Sequence, residues 1–160
     1  MYESIQAFKT KMDTGQLCVG PTVSFSDASV TEALAANADY IWIDLEHSPT
    51  NFESMVNHII ACRACGVPGI VRVPSGEIAW IKRVLDAGAD GIILPQAQSV
   101  EEVRAFVAAC RYPMQGTRGY GPRRSTNYGR LGNDKYLPQA NTETFVVGQI
   151  ESRNLVDNID

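Results

Sequence analysis

At 160 residues, with 44% apolar and 20% charged side chains, the chain can bury a real core and has the composition of a globular domain. Its net charge of -4 argues against a sequence-independent nucleic-acid binder, which needs a basic surface, although one well-placed arginine still supplies the field a small anion requires. The start, Met1-Tyr2-Glu3-Ser4, lacks the positive end and apolar run of a signal peptide, and no apolar stretch reaches the roughly 20 residues of a membrane helix, so a cytoplasmic protein without membrane contact is expected.

Taken in chain order, helix and strand patterns alternate. Tyr2, Ile5, Phe8 and Met12 recur at near-helical spacing, and this first helix is placed across the bottom of a barrel. A short apolar run at Cys18–Ser24 reads as a strand, followed by a helix over Asp27–Ala36 with Asp27 as its cap candidate. Tyr40–Leu45 is the second strand and Asn51–Cys65 the next helix, with Met55, Ile59 and Cys62 on its core-facing side. Gly69–Val73 is the third strand. Glu77–Ala87 then places Ile78, Ile81 and Leu85 on one helix face, and Gly88 stops it. After the fourth strand, Asp90–Leu94, Ser99 and Glu102 match a capping box, and Val103, Phe106, Val107 and Cys110 form an apolar stripe. Phe145–Ile150 is the fifth strand. Between them, Gly116–Asn141 carries Gly116, Gly119, Gly121, Gly129 and Gly132 with Arg118, Arg123 and Arg124. It reads as a long loop: a mobile surface segment, a lid or a subunit-contact arm. Strands alternating with helices imply a parallel sheet covered by helices.

Cys62 and Cys65 form a Cys-x-x-Cys with His58 one turn upstream, the spacing of half a metal site or a redox pair. Structural cysteines are the stronger reading. No second ligand pair follows at zinc spacing, and the pair lies at a helix C-terminus, where no dipole activates a thiol. His58 is expected at a surface or boundary position.

Several strands carry polar residues at their C-terminal ends. Trp42, Asp44 and Glu46 oppose Ile43 and Leu45 in parity, Arg72 opposes Val71 and Val73, Gln96 shares parity with Ile92 and Leu94, and Gln149 and Glu151 share parity with Val147. His47 follows the second strand directly. These are either solvent-facing strand ends or charges converging on one barrel mouth, where Asp44, Glu46, Arg72 and Glu151 offset one another. No lysine sits at such a position, which argues against Schiff-base chemistry there.

From about Gly20 onward the chain resembles the HpcH/HpaI aldolases, the 4-hydroxy-2-oxoheptanedioate aldolase-like class II pyruvate aldolases. The matching pieces are Ile43-Asp-Leu-Glu-His-Ser-Pro49, Val71-Arg-Val-Pro74, Ile81–Gly88, Tyr112-Pro-Met-Gln-Gly-Thr-Arg-Gly119 and Gln149-Ile-Glu151. The resemblance implies a (β/α)8 TIM barrel of the phosphoenolpyruvate/pyruvate type, a homo-oligomer such as a hexamer, and a divalent cofactor, Mg2+, Mn2+ or Co2+. Pyruvate and an aldehyde, or the 4-hydroxy-2-oxo acid they form, are the implied substrates. Carried over, His47 matches the catalytic base, Arg72 the residue that holds pyruvate and stabilises its enolate, and Gln149 a substrate-contacting position. Glu151 matches a metal ligand, Asp86 an acid that raises the basicity of the histidine, and Asp44 its neighbour in the site.

A (β/α)8 barrel takes about 250 residues. The chain is therefore expected to form a single domain over 1–160, the first five β/α units, with strands six to eight and a second metal-binding carboxylate beyond residue 160. Asp160 falls in the helical region after the fifth strand and does not replace that ligand. By itself the chain is expected to bind metal weakly and turn over little. Two other readings remain: an acyl-CoA lyase of the citramalyl- or malyl-CoA type, and a non-catalytic truncated barrel.

Overall fold

A computed structural model describes residues 2–159; Asp160 lies outside them. The elements run α1 (Glu3–Asp13), β1 (Thr22–Val23), α2 (Ser29–Ala35), β2 (Ile41–Asp44), α3 (Phe52–Cys65), β3 (Gly69–Arg72), α4 (Ile78–Asp86), β4 (Gly91–Leu94), α5 (Val100–Ala109), α6 (Asn133–Glu143), β5 (Phe145–Gly148) and α7 (Arg153–Val156), with one 3-10 turn at Arg124–Thr126. All strand pairs are parallel and the order is β1-β2-β3-β4-β5. Each strand thus pairs with its sequence neighbour, as consecutive units of a β/α barrel do.

Local chemistry sets the boundaries. Asn51 caps α3 by accepting the Ser54 N–H at 2.8 Å, and Gly66 ends that helix at φ +73. Ser99 accepts the Glu102 N–H at 3.2 Å, while the Glu102 carboxylate reaches back to the Gln98 N–H at 2.7 Å, one residue earlier than a capping box requires. Asp27 does not cap α2; it accepts the Ser29 N–H at 2.9 Å and the helix begins at Ser29. β1 is shorter than the apolar run suggests because Pro21 has no N–H to add to the ladder, although its carbonyl still takes the Trp42 N–H at 3.0 Å.

Register sorts the strands into two faces. One row runs Val23–Ile43–Val71–Ile92–Val146 and packs against the helices, with Ile41, Met55, Ile59, Ile81 and Phe106 in the same core. Burying each such aliphatic side chain stabilises the fold by roughly 1.5–3 kcal/mol. The opposite face carries Thr22–Trp42–Ile70–Gly91–Phe145 and, one layer higher, Asp44–Arg72–Ile93–Val147. Gly91 must be glycine there, since a Cβ would stand 2.8 Å from the Phe145 carbonyl oxygen. Tyr2, Ile5 and Phe8 of α1 close the lower part of this face against Ile70 and Ile93, so the first helix takes its expected place at the bottom; Met12, at the end of the predicted stripe, is exposed.

The glycine-rich segment is not a lid over the strand C-termini. Its last third lies in the helix α6, whose Tyr136 packs edge-on to Tyr112 at 5.8 Å, and Arg124 Nε donates to the Ala87 carbonyl at 3.1 Å. Both contacts lie at the N-terminal end of the sheet. Pro138 inside α6 and the dense glycines masked the helical pattern. Cys62 and Cys110 are buried, and all four cysteines are free. His58 is fully buried, not at a boundary: its ring nitrogens meet Thr31 Oγ1 and the Phe25 carbonyl, each at 2.8 Å. Thr31 and the Phe25 carbonyl give both ring nitrogens partners without water.

Candidate active site

The polar residues gather at the C-terminal ends of β2, β3, β4 and β5. Asp44 and Arg72 are register partners on adjacent strands, about 4.8 Å apart in the ladder direction. Arg72 donates from Nε to Asp44 Oδ1 at 2.9 Å and from Nη2 to Oδ2 at 2.7 Å, a bidentate fork. Its third nitrogen, Nη1, lies 3.0 Å from Glu46 Oε2, and its guanidinium stands 5.5 Å from the Trp42 ring centroid. Arg72 is thus held on three sides with its plane fixed.

Burial alone would raise the Asp44 carboxyl. Hydrogen bonds from Arg72 and from the backbone N–H groups of Glu46 and His47, with the arginine charge, outweigh it and hold Asp44 below the usual carboxylate range. Arg72 moves up in turn, chiefly through its hydrogen bond to Asp44.

Glu46 bridges the rest. Its Oε2 is 3.5 Å from His47 Nε2, and its Oε1 accepts from Gln96 Nε2 at 2.6 Å. The His47 side chain is 68% exposed, open to a ligand in the mouth. The Gln96 backbone N–H donates to Glu151 Oε2 at 2.7 Å, and Gln149 Nε2 lies 3.4 Å from Glu151 Oε1. One hydrogen-bonded chain therefore runs Asp44–Arg72–Glu46–Gln96–Glu151–Gln149, with His47 at its side.

Among the predicted site residues, Asp44, His47, Arg72, Gln149 and Glu151 are brought together by this chain. Asp86 is not among them. It ends α4, and its Oδ1 accepts from Arg118 Nη2 at 2.8 Å. Arg118 is buried there over the Tyr112 ring at 4.5 Å. Gln96, one of the polar strand-end residues, has no role in the family resemblance, and simple alternation groups it with Ile92 and Leu94, which face the helices. Its φ of +54 breaks that alternation just after Pro95 and turns it into the mouth. Nothing in the local composition signals a left-handed residue there.

Among the described residues no three His, Cys, Asp or Glu side chains come together as a metal-binding group. Two residues with hard oxygen donors, Gln149 and Glu151, nonetheless follow the end of β5. Among the described residues Gln149 Oε1 is buried with no hydrogen-bond partner, while the nitrogen of the same amide lies 3.4 Å from the Glu151 carboxylate. An orphaned amide oxygen next to a carboxylate suits a hard divalent cation.

Known proteins resemble this chain in sequence and in fold. A family model described as HpcH/HpaI aldolase/citrate lyase matches residues 22–160. A protein of Roseobacter denitrificans named hydroxypyruvate/pyruvate aldolase is 34% identical over 159 residues, covering 98% of this chain and 61% of the relative. The 4-hydroxy-2-oxovalerate aldolase of Novosphingobium aromaticivorans is 33% identical, covering 100% of this chain and 61% of the relative. A crystal structure of an HpcH/HpaI aldolase/citrate lyase family protein from Burkholderia cenocepacia superposes with a TM-score of 0.87 at 30% identity, covering 96% of this chain and 62% of that one. This chain thus spans less than two thirds of the length of these relatives, and over that span its sheet follows their barrel. The match begins at the first residue of β1 and runs through every strand that builds the mouth: the chain belongs to the HpcH/HpaI aldolase/citrate lyase family.

Proposed function

We propose that the chain carries the catalytic mouth of a divalent-metal-dependent pyruvate aldolase, which cleaves or forms 4-hydroxy-2-oxo acids through the enolate of pyruvate. The observation that carries this reading is the fixed Arg72 guanidinium, which shares one strand-end array with His47, Gln149 and Glu151. Aldolases of small oxo acids among the relatives favour it over an acyl-CoA lyase.

Glu151 and the orphaned Gln149 Oε1 are the residues that would hold Mg2+, Mn2+ or Co2+. When bound, the ion supplies Lewis acidity to the keto and carboxylate oxygens of pyruvate. His47, exposed beside Glu46, takes the methyl proton on the ring nitrogen turned away from Glu46 in the synthetic direction and returns it in cleavage. Arg72 places permanent positive charge where negative charge develops on the enolate oxygen, and Asp44 keeps it from turning away. Gln149 contacts pyruvate from β5. Asp86 serves the histidine of a neighbouring subunit, because within its own fold it is tied to Arg118 at the opposite end of the sheet. This makes the working form a homo-oligomer.

The test, on the intact protein with the expected strands six to eight, is deuterium exchange into the methyl group of pyruvate, followed by pyruvate release from a 4-hydroxy-2-oxo acid, each with and without added Mn2+. Exchange that needs the metal and stops with chelator is the expected result. Full exchange in chelator would rule out the metal-dependent reading.

A further inference from the structure

Gln96 joins three strand ends that are not all neighbours. Its side-chain amide holds Glu46 from β2, and its main-chain N–H holds Glu151 beyond β5, although β2 and β5 are separated by β3 and β4. Both contacts depend on the left-handed backbone at Gln96, which is strained for an ordinary residue and nearly free for glycine. The turn is braced from behind. Gln98 Nε2 donates to the Gln96 carbonyl at 2.7 Å, and Glu102 fixes the Gln98 N–H. A side chain kept where glycine is the easier choice points to a use for that side chain.

The use follows from what the amide does to Glu46. With Oε1 anchored by Gln96, the other oxygen is the one aimed at Arg72 and His47, at 3.0 and 3.5 Å. Freed from Gln96, the carboxylate could rotate and offer Arg72 and His47 either oxygen or neither. A glutamate at 96 would instead bring two carboxylates within hydrogen-bond distance. The contact needs a neutral donor of this length.

We propose that Gln96 is a positioning residue of the aldol site, which acts on the reaction through Glu46 while its backbone fixes Glu151. The proposal rests on the enolate reading above. Gln96→Gly separates its two duties: glycine keeps the left-handed backbone and the N–H to Glu151 and removes only the amide. Gln96→Met keeps the length and loses the donor.

In the protein loaded with Mn2+, both variants should lower kcat for methyl exchange by roughly tenfold, the worth of one hydrogen bond to a charged group, with KM for pyruvate nearly unchanged. Gln96→Gly should unfold at the same or a higher urea concentration than wild type, which excludes loss of fold as the cause. Combined with Glu46→Gln, the Gln96→Gly change should add nothing to the loss from Glu46→Gln alone. Multiplicative losses, or wild-type kcat in Gln96→Gly, would overturn the proposal. The Gln96 side-chain amide protons give a readout independent of turnover: they should be shifted in wild type and return to free-amide positions in Glu46→Ala, and a resonance indifferent to Glu46 would equally overturn it. Wild type that exchanges no methyl proton would refute the enolate reading itself, and the amide resonance would still decide whether Gln96 holds Glu46.

Discussion

Arg72 grips Asp44 through two parallel N–H···O bonds, at 2.9 and 2.7 Å, because their strands place them in register side by side. The side chains are 14% and 4% exposed, so neither ion is well served by water. Arg72→Lys keeps the charge but loses the fork, since an ammonium cannot match a carboxylate bidentately. We expect that variant to fold and to lose kcat on pyruvate exchange by about a hundredfold, close to the cost of removing one oxyanion donor. Asp44→Ala removes the carboxylate and leaves the guanidinium with Glu46 alone. It should destabilise the protein by about 3 kcal/mol in urea titration. Unchanged kcat in Arg72→Lys would mean that the fork is structural only.

The same pair fixes an acid limit. The folded-state carboxyl of Asp44 lies below its unfolded value of 3.8, so its contribution is complete above that value and is lost as pH falls through the lower folded one. Asp90 works the other way. Burial lifts its carboxyl to about 6, against a weaker pull from its hydrogen bond to the Gly69 N–H, 3.0 Å away, and from the charge of Arg63. Its folded state binds the proton more tightly than the unfolded one, so stability falls as pH rises from about 4 to 6 and then levels. Asp90→Asn should raise the urea midpoint at pH 8, and the gain should shrink as pH drops to 4. A gain that is constant with pH would disprove the assignment.

His47→Ala should slow deuterium exchange into pyruvate by 10²–10⁴-fold, as an order of magnitude for one general base, and leave Mn2+ affinity unchanged by calorimetry. Exchange at the wild-type rate would move the base elsewhere.

Asp86→Asn keeps an oxygen for Arg118 and removes the charge, so the variant should fold. If Asp86 serves a neighbour's histidine, mixing Asp86→Asn with His47→Ala protein through reversible dissociation should restore part of the activity that each lacks. Mixed oligomers, verified by mass, that stay inactive would count against the shared site.

The strand-helix order was readable where local signals bound the elements, as with the cap at Ser99 and the stop at Gly88; Pro21, which shortens β1, lay inside the apolar run that reads as a strand. The faces were readable from alternation wherever the strand persists, as at Trp42, Asp44, Ile70 and Arg72. What escaped depended on backbone or tertiary context. The parity of Gln96 with Ile92 and Leu94 does not predict its place in the mouth, because one left-handed residue ends the alternation. His58 looked like a boundary residue because its partners, Thr31 and the Phe25 carbonyl, lie far from it in sequence. In α6, Tyr136 and Ala140 have their buried neighbours in α1 and after α5, so a window of local sequence with Pro138 in it shows no stripe.

The first helix has a consequence for synthesis. Gln6 and Lys9 both bond Glu143, across 137 and 134 positions, and Ile5 and Phe8 bury themselves against β3, β4 and β5 side chains. At about 5–20 residues per second, a ribosome takes on the order of ten seconds to make the partners that α1 needs. For that interval Tyr2, Ile5 and Phe8 have no native surface to cover them, and the closing of this longest loop belongs among the last steps of folding. The nascent chain therefore offers chaperones an amphipathic helix with an uncovered apolar face well before its strand-end array is complete.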